Sequence, residues 1–293
     1  MILIELDKAG AEWVIVAYLS QDGNMLDVVQ SGSSPHTKTG ALMSRCSEDL
    51  VEKENKLIGQ MTDPEIILEM RTKELPELFE GDYYLPRNMS IRQAGKKSNH
   101  GLNYDMKYKR FALENELPEN DSKELVERYH SAYPGIRQTY HQYVRNRLNK
   151  DRTLTNCFGR KRKFYDAWGP ELFDSAYAFL PQSTVYDTIR QGMYRTYWDR
   201  SRIFSPIQLL DEVHDSFKFQ YPESRLSDLA PVLITVALDY MNPKLVYSSR
   251  EFWIGTTAKI GYNMGNMYDV ELSEDVEAVR RSIERAVDAA KAK

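Results

Sequence analysis

The sequence predicts an α+β fold, with strands towards both ends of the chain and helices between them. Residues 2–6 form an apolar run that indicates a buried strand, followed by Asp7 and a helix that begins near Ala11. Residues 217–221 (FKFQY) alternate between aromatic and polar side chains, which is typical of a strand with one buried face. A last strand is expected around residues 252–262. The long segment between these strands is predicted to be mainly helical.

Composition indicates an enzyme of the reducing cytoplasm. At 293 residues and 42% hydrophobic, the chain can bury a large core as one or two domains. Its longest apolar runs, such as residues 13–19, are too short to span a bilayer, and its N-terminus lacks the basic region of a secretory signal. Cys46 and Cys157 are not at metal-ligand spacing and are expected to be free thiols.

The net charge of −4 conceals an uneven distribution of charge along the chain. Residues 145–163 contain eight Lys or Arg and one acid, whereas residues 48–82 contain eleven acids and four bases. Phosphate binding depends on the local field, so an acidic chain can carry a basic groove. A solvated helix and turn would also explain the basic segment. The aromatic residues that bracket its end, in FGRKRKF, favour a nucleic-acid surface.

The most informative motif is IRQAGKKSNHGLNYDM, in which Arg92, Lys96, His100 and Tyr104 follow one another at intervals of four. On a helix, residues at this spacing share a face. Two cations stand near the helix N-terminus, which itself favours anions, and two rings follow. A nucleoside triphosphate has the same layout. A solvated basic helix face is the alternative, and the flanking segments favour the nucleotide.

Two carboxylates are predicted at the ends of neighbouring strands. Asp7 ends the first strand, and Asp215 follows His214 in VHDS, just before residues 217–221. Such a pair can hold two Mg²⁺ ions roughly 3.5–4 Å apart, the arrangement used for in-line phosphoryl transfer. A lone Asp at a strand end is more often a turn or cap residue. We call Arg92, Lys96, His100 and Tyr104 the ladder. Its position in the sequence between the two carboxylates favours a nucleotidyl-transfer site.

These segments resemble the signature motifs of the family-A DNA polymerases. DKAGAE, from Asp7 to Glu12, is similar to the first motif, the ladder to the second, and VHDS to the third. Further similar segments, in the family's order, are SPHTKTG at 34–40, YPGI at 133–136, FGRKRKF at 158–164 and LPQSTVYDTI at 180–189. The resemblance implies a right-hand polymerase palm, a small antiparallel sheet with helices, plus mainly helical fingers.

The resemblance also implies template-directed DNA synthesis with two Mg²⁺ ions. Asp7 and Asp215 would hold both ions, with the backbone carbonyl of Lys8 completing one coordination shell. Arg92 and Lys96 would bind the β- and γ-phosphates of the incoming nucleotide. Lys96 would also protonate the leaving pyrophosphate.

Four more residues belong to the implied nucleotide site. His36 would contact the triphosphate, and His100 would pack beside the sugar and base, where the family usually has Phe or Tyr. Tyr104 would stack at the template side, and Glu12 would exclude a ribose 2′-hydroxyl. Structural roles remain the alternative for His36, Tyr104 and Glu12. Asp105 stands where the family usually has Gly, and it is expected to change how the ladder helix ends.

The implied DNA contacts come from four residues. Gln182 and His214 would contact the primer–template minor groove and the primer terminus, where acceptors lie at similar places in every base pair. Arg160 and Arg162 would contact the phosphate backbone. Primer–template DNA and deoxynucleoside triphosphates are therefore the expected partners, and no membrane is involved.

The expected domains are a first palm segment at 1–20, fingers at 21–165 with an acidic helical insertion at about 44–88, and a second palm segment with a C-terminal helix at 166–293. In the family a thumb precedes the first motif, which here begins at residue 7. An apolar strand beginning at Ile2 would leave a sheet edge unpaired. We therefore expect a split or truncated polymerase without a thumb, in which a second polypeptide supplies the thumb and the remaining palm.

Two other functions remain open at this stage. Beside DNA synthesis, the alternatives are a non-catalytic DNA-binding or replication subunit derived from a polymerase, and a different two-metal phosphoryl transferase such as a nuclease. The sequences HTKTG and GKKSNHG are more similar to phage members of the family than to bacterial ones. A phage-encoded chain is expected to act in the host cytoplasm.

Overall fold

A computed structural model describes residues 1–59 and 61–292. The strands are β1 (Ile2–Lys8), β2 (Thr153–Thr155), β3 (Lys161–Lys163), β4 (Gln208–Val213), β5 (Ser216–Tyr221), β6 (Leu245–Tyr247), β7 (Arg250–Phe252), β8 (Thr256–Asn263) and β9 (Asn266–Val270). The helices are α1 (Ala11–Ser20), α2 (Gly23–Ser31), α3 (Pro35–Ser44), α4 (Glu48–Ile58), α5 (Pro64–Glu74), α6 (Ile91–Leu102), α7 (Tyr108–Asn115), α8 (Glu119–Ala132), α9 (Gln142–Asp151), α10 (Pro170–Trp198), α11 (Leu229–Ile234) and α12 (Val276–Lys291). The α+β class predicted from the sequence is confirmed.

The chain divides into two compact units. The sheet unit comprises Met1–Glu12, Thr155–Arg160 and Pro181–Lys293, and the helical unit comprises Trp13–Leu154 and Lys161–Leu180. Each unit has its own core.

The core of the sheet unit is an antiparallel sheet with strand order β4-β5-β1-β8-β9. β1 is central: Ile4 lies opposite Phe219 of β5 on one side and Ile260 of β8 on the other. The expectation that the strand beginning at Ile2 has an unpaired edge is therefore wrong. Strands that lie more than 200 residues further along the chain cover both of its sides, and the outer strands are β4 and β9.

Helix α12 covers β8 and β9 with a narrow apolar face. Val279, Ile283 and Val287 recur at the helical period and are buried, while the opposite side is charged. The helix begins after Asp275, whose side chain accepts hydrogen bonds from the first free backbone N–H groups. The packing of this face anchors the C-terminal helix on the sheet.

The helical unit is built around the close approach of α3 and α6. A Cβ atom on Gly40 would lie 2.7 Å from the backbone oxygen of Ile91, and one on Gly95 would lie 2.3 Å from that of His36. Since real Cβ atoms do not come so near, only glycine allows the two helices to pack at this distance. This contact brings the start of α3 beside the face of α6.

The acidic insertion forms helices α4 and α5 and a 3₁₀ turn at Pro76–Phe79. Both helices have side-chain N-caps, Ser47 for α4 and Asp63 for α5. A small apolar core joins the insertion to α3 and α6; its members are Ala41, Leu50, Val51, Leu75, Leu78 and Ile91. The insertion is therefore a folded part of the helical unit.

Two segments that we expected in the palm group with the helical unit instead. Residues 13–20 belong there because the indole of Trp13 donates a hydrogen bond to Asn99 and packs edge-on against Tyr133. Residues 166–180 belong there because the ring of Tyr177 stacks on His141, with ring centroids 3.9 Å apart. Aromatic contacts thus group both segments with the helical unit, while their assignment to palm or fingers stays a prediction.

Cys46 and Cys157 are free thiols, and Cys157 is exposed. In the part of the chain that the structure describes, no helix is both long and apolar enough to cross a membrane.

Candidate active site

Strand pairing brings Asp7 and Asp215 together at one end of the sheet. Asp7 lies opposite Ser216 in the β1–β5 register, and the backbone N–H of Lys8 donates to the carbonyl oxygen of Asp215 at 2.9 Å. Asp215 itself lies in the tight turn between β4 and β5, where His214 adopts a left-handed φ of 52°. The turn holds the second carboxylate beside the end of β1.

The carboxyl group of Asp7 is partly buried and lies beside that of Asp215. Burial, as the largest cause, and the charges of Asp215 and Glu5 together raise the pKa of Asp7 to about 7. Among the described residues, Asp7 Oδ1 is buried without a hydrogen-bond partner. A buried, unpaired carboxylate oxygen beside a second carboxylate is costly unless a cation neutralises it. The pair therefore fits a divalent cation.

The protein contributes few ligands to such an ion. Within the described ranges, no group of three or more His, Cys, Asp or Glu side chains is arranged to hold a metal. A cation at Asp7 and Asp215 would therefore take its other ligands from backbone carbonyls such as that of Lys8, from water and from substrate phosphates. Mg²⁺ is commonly bound in this way, by one or two carboxylates together with phosphate oxygens.

The side chain of Lys8 has a structural role that sequence reasoning missed. It is buried, and its Nζ donates to the carbonyl of Ile254 at 2.5 Å and to Thr256 Oγ1 at 2.9 Å. Burial lowers the pKa of this amine to about 7. These bonds tie the end of β1, and with it Asp7, to β8. The signal in the sequence was a lysine at the end of an apolar strand.

The other site residues predicted in the sheet unit differ in their exposure and in their partners. Glu12 is half-buried in the first turn of α1, Gln182 is exposed on α10, and His214 is exposed in the hairpin turn. Arg160 forms a bidentate ion pair with Asp187, at 2.5 Å for the shortest contact, so a phosphate would have to share this guanidinium. The pairing could not be foreseen because Asp187 is 27 residues away.

In the helical unit, three residues of the ladder share one face of α6. The helix begins after Ser90, whose Oγ accepts from the backbone N–H of Gln93, and it carries Arg92, Lys96 and His100. It ends at Leu102, so Tyr104 lies in the following turn. The assumption that all four residues lie on one helix is wrong for Tyr104.

The early end of α6 follows from Asp105. This residue has a left-handed φ of 62°, a conformation in which glycine is far more common. Ion pairs with Arg137, at 2.8 Å, and with Lys107 hold its carboxylate in place. They compensate for the backbone strain, which explains how an Asp can occupy this position.

His36, Arg92, Lys96 and His100 form a basic cluster. The rings of His36 and His100 lie 6.3 Å apart between centroids. Burial, as the largest cause, and the neighbouring charges of Arg92, His100 and Lys96 together lower the pKa of His36 to about 4. His36 is therefore neutral at physiological pH, while two permanent cations stand beside it. The cluster suits a polyanion.

Arg162, by contrast, is exposed on β3 with its guanidinium 4.6 Å from the ring centre of Phe164.

The family model for DNA polymerase family A matches residues 86–287, which is more than half of the chain. The chain belongs to DNA polymerase family A. The resemblance predicted from the motifs is thus confirmed. The match to the family model begins at residue 86, so it does not include Asp7 or His36.

Relatives of this family-A chain include bacterial enzymes. It is 25% identical over 238 residues to the thermostable DNA polymerase I of Thermus thermophilus, a match that covers 78% of this chain and 24% of the relative. The DNA polymerase I of Treponema pallidum is 22% identical over 79% of this chain and 20% of its own length. The chain therefore spans between a fifth and a quarter of these relatives.

The fold is also that of a polymerase domain. The structure superposes on the polymerase domain of Pol1 from M. smegmatis, solved in complex with DNA primer-template and dNTP, with a TM-score of 0.64 and 18% identity. The match covers 89% of this chain and 40% of that one. For this chain, the expected combination of a small antiparallel sheet and a helical region is confirmed at the level of the fold.

Proposed function

We propose that this family-A chain catalyses template-directed DNA synthesis, in which a deoxynucleotide is transferred to a primer 3′-hydroxyl with the help of two Mg²⁺ ions. The observation that carries the proposal is the pair of Asp7 and Asp215, adjacent and partly buried, with a raised pKa and an unsatisfied oxygen on Asp7. Carboxylates kept in this state at a cost in stability are typical of a catalytic site.

Different residues of the chain would bind the metal ions and the phosphates of the nucleotide. Asp7, Asp215 and the carbonyl of Lys8 hold the metals. Ions held there would supply a lower pKa for the primer 3′-hydroxyl and would neutralise charge on the triphosphate and on the leaving pyrophosphate. Arg92 and Lys96 bind the β- and γ-phosphates, and Lys96 gives a proton to the pyrophosphate oxygen as the P–O bond breaks.

The remaining residues would select substrates. His36 donates a hydrogen bond to the triphosphate, and His100 and Tyr104 pack against the nucleoside and the template. Glu12 fills the space that a ribose 2′-hydroxyl would need, so that ribonucleotides are excluded by a steric clash.

On the DNA side, Gln182 and His214 would contact the minor groove at the primer terminus, and Arg160 and Arg162 the phosphate backbone. The exposure of Gln182, His214 and Arg162 supports these contacts, since side chains must reach the solvent to meet DNA. We place the reaction in the cytoplasm, that of the host if the chain is phage-encoded, where deoxynucleoside triphosphates and Mg²⁺ are available.

We further propose that a second polypeptide completes the grip on DNA by supplying a thumb and the remaining palm. An outer strand beside exposed aromatic side chains supports this proposal. β4 lies at the edge of the sheet, Leu210 within it is 45% exposed, and Tyr194 and Trp198 of α10 are 65% and 54% exposed. An adjacent groove of about 500 Å³ is lined by Arg190, Gln191, Met193, Tyr194, Tyr197 and Leu209. Open strand edges and apolar patches of this kind mark sites of association.

Primer extension with Mg²⁺ and deoxynucleotides tests the catalytic proposal. Asp7→Asn and Asp215→Asn should each abolish incorporation without lowering the melting temperature, since loss of one charge relieves the repulsion between the carboxylates. Asp211→Asn, which removes an exposed acid from β4, serves as the control. Substantial turnover in either site variant would contradict the metal assignment. Shortening of the DNA would indicate a nuclease, and binding without reaction a non-catalytic subunit.

The isolated chain tests the proposal of a partner. With thumb and palm edge supplied by another polypeptide, the chain alone should bind primer–template weakly and add few nucleotides per encounter at physiological salt, because fewer phosphates are contacted. A chain that sediments as a monomer and extends primers processively at that salt would contradict the proposal.

A further inference from the structure

The side chain of Asn99 is the centre of a buried hydrogen-bond network beside the basic cluster. Asn99 lies on α6 and is 3% exposed. Its Oδ1 lies 3.0 Å from Trp13 Nε1, 3.0 Å from Thr39 Oγ1 and 3.2 Å from the hydroxyl of Tyr129. Its Nδ2 lies 3.3 Å from the carbonyl oxygen of Pro35 and 3.2 Å from Nδ1 of His36. All of these groups belong to the helical unit.

The neighbours of Asn99 leave only one orientation for its amide. An indole N–H can only donate, so the atom facing Trp13 must be the amide oxygen. A backbone carbonyl can only accept, so the atom facing Pro35 must be the amide nitrogen. Rotating the amide by 180° would place its NH₂ group against the indole N–H of Trp13, donor against donor. Its oxygen would then face the carbonyl oxygen of Pro35, acceptor against acceptor. The group that faces His36 is therefore an NH₂ donor.

This orientation determines the protonation of His36. Because Nδ2 of Asn99 donates, Nδ1 of His36 must be the acceptor and cannot carry a proton. The proton of the neutral imidazole is then on Nε2. A doubly protonated ring would place an N–H of His36 against the NH₂ of Asn99. The network therefore opposes the imidazolium, as do burial and the charges of Arg92, Lys96 and His100.

We propose that Asn99 is a positioning residue that holds His36 in the tautomer with its proton on Nε2, so that the ring donates a hydrogen bond to the triphosphate of the incoming nucleotide. The inference rests on the proposed function, because it assumes that His36 meets the triphosphate. In the other tautomer, a lone pair on Nε2 would face phosphate oxygens and repel them. The pocket would lose a charge-assisted hydrogen bond, the stronger kind.

Asn99→Asp is the most direct perturbation, because it keeps the size of the side chain and the acceptor for Trp13 and Thr39. The new carboxylate can only accept, so it selects the His36 tautomer with its proton on Nδ1, or the imidazolium at low pH. Tyr129→Phe is the matched control. It removes the hydroxyl that lies 3.2 Å from the same amide oxygen and donates to Asn103 Oδ1 at 2.7 Å, and it leaves the bond between Asn99 and His36 in place.

The first measurement is the ¹⁵N spectrum of His36, with assignment by a His36→Gln variant. The wild type and Tyr129→Phe should show the tautomer protonated on Nε2, and Asn99→Asp should move the proton to Nδ1. A wild type protonated on Nδ1 overturns the proposal. So does an Asn99→Asp spectrum that still shows the Nε2 proton. The wild-type spectrum requires no variant to fold. If Asn99→Asp does not fold, Asn99→Ser should give a mixture of both tautomers.

The second measurement is the KM for deoxynucleotide in primer extension between pH 6 and pH 9. Relative to the wild type, Asn99→Asp should raise KM by about 10- to 100-fold at pH 9, the effect of losing one hydrogen bond to a charged group. The ratio should shrink towards pH 6, where the imidazolium donates again. A merely structural defect would raise KM equally at every pH, which would overturn the proposal.

His36→Gln separates this inference from the proposed function. If the tautomer responds to Asn99→Asp but neither variant changes KM, then His36 does not meet the triphosphate and the positioning role is refuted, while Asp7 and Asp215 remain the test of polymerase activity. If no variant or wild type extends a primer although the tautomer behaves as stated, the proposed function fails on its own.

Discussion

The buried ion pair between Glu54 and Arg71 offers the sharpest test of how the acidic insertion is held. The two side chains are 0% and 4% exposed. The guanidinium of Arg71 bonds Glu54 through Nε and Nη2 and also donates to the carbonyl oxygens of Pro86, at 2.6 Å, and Met89, at 3.0 Å. Glu54 Oε2 accepts from the backbone N–H of Ile91, the first residue of α6. The pair thus joins the insertion to the helix that carries the basic cluster.

Arg71→Met should destabilise the helical unit severely. Burial already raises the pKa of the Glu54 carboxyl despite the opposing charge of Arg71, so the loss of Arg71 leaves a carboxylate that must either stay ionised without a partner or take up a proton. Removing one partner of a buried pair typically costs about 3–5 kcal/mol. At roughly 2–4 °C per kcal/mol for a unit of this size, the melting temperature should fall by about 6–20 °C.

Differential scanning calorimetry at pH 7.5 measures this effect. Arg45→Met is the control, because its ion pair with Asp82 in the same region is mostly exposed and should be worth about 1 kcal/mol or less. The double variant Glu54→Gln/Arg71→Met should recover part of the loss, since an amide can still accept from Ile91 without carrying a buried charge. An Arg71→Met protein that melts within about 2 °C of the wild type would refute this account of the ion pair.

Three further perturbations test other parts of the molecule. Glu12→Ala should make ribonucleotides much better substrates in primer extension, and an unchanged ratio of deoxy- to ribonucleotide incorporation would exclude Glu12 from the site. Gly95→Ala should cost about 1–3 kcal/mol in urea unfolding and raise the KM for nucleotide, because the added methyl group pushes α3 away from α6. Gly169→Ala, with open space around its Cβ position, should change neither quantity. Burial lowers the pKa of His130 to about 3 and that of His141 to about 4, so below pH 6.5 the unfolded chain takes up protons that the folded chain does not. Their contribution to the free energy of unfolding should therefore fall by roughly 3 kcal/mol between pH 7.5 and pH 5.5, and a wild type whose pH dependence equals that of a His130→Gln/His141→Gln variant would contradict this.

Local pattern was enough to predict β1, β5 and the turn that holds Asp215. The alternation at 217–221 and the apolar run at 2–6 identify β5 and β1, and the turn between β4 and β5 follows from the pattern around Asp215. The central place of β1 could not be predicted, because it depends on pairing with β8, near the other end of the chain. A strand pattern states which face is buried but not which strands lie beside it.

The basic cluster shows the same division between local and long-range information. The spacing of Arg92, Lys96 and His100 predicted their common face, since α6 forms where the pattern placed it. The role of Asn99 gave no signal, because it stands in the polar stretch KKSNH and its burial comes from α1, α3 and α8 packing around it. The end of α6 was misjudged because Asp105 adopts a glycine-like conformation that contacts with Arg137 stabilise.

A neutral His36 has a consequence for catalysis in the proposed site. Arg92 and Lys96 already supply two positive charges to the triphosphate, and a third charge on His36 would strengthen binding of the nucleotide and of the released pyrophosphate alike. Binding that is equally strong before and after the reaction does not accelerate the chemical step and slows release of the product. A neutral Nε2–H donor fixes the position of a phosphate oxygen by direction, at a smaller electrostatic cost to departure. The low pKa of His36 and its contact with Asn99 serve the same end, since each keeps the ring a donor without making it a cation.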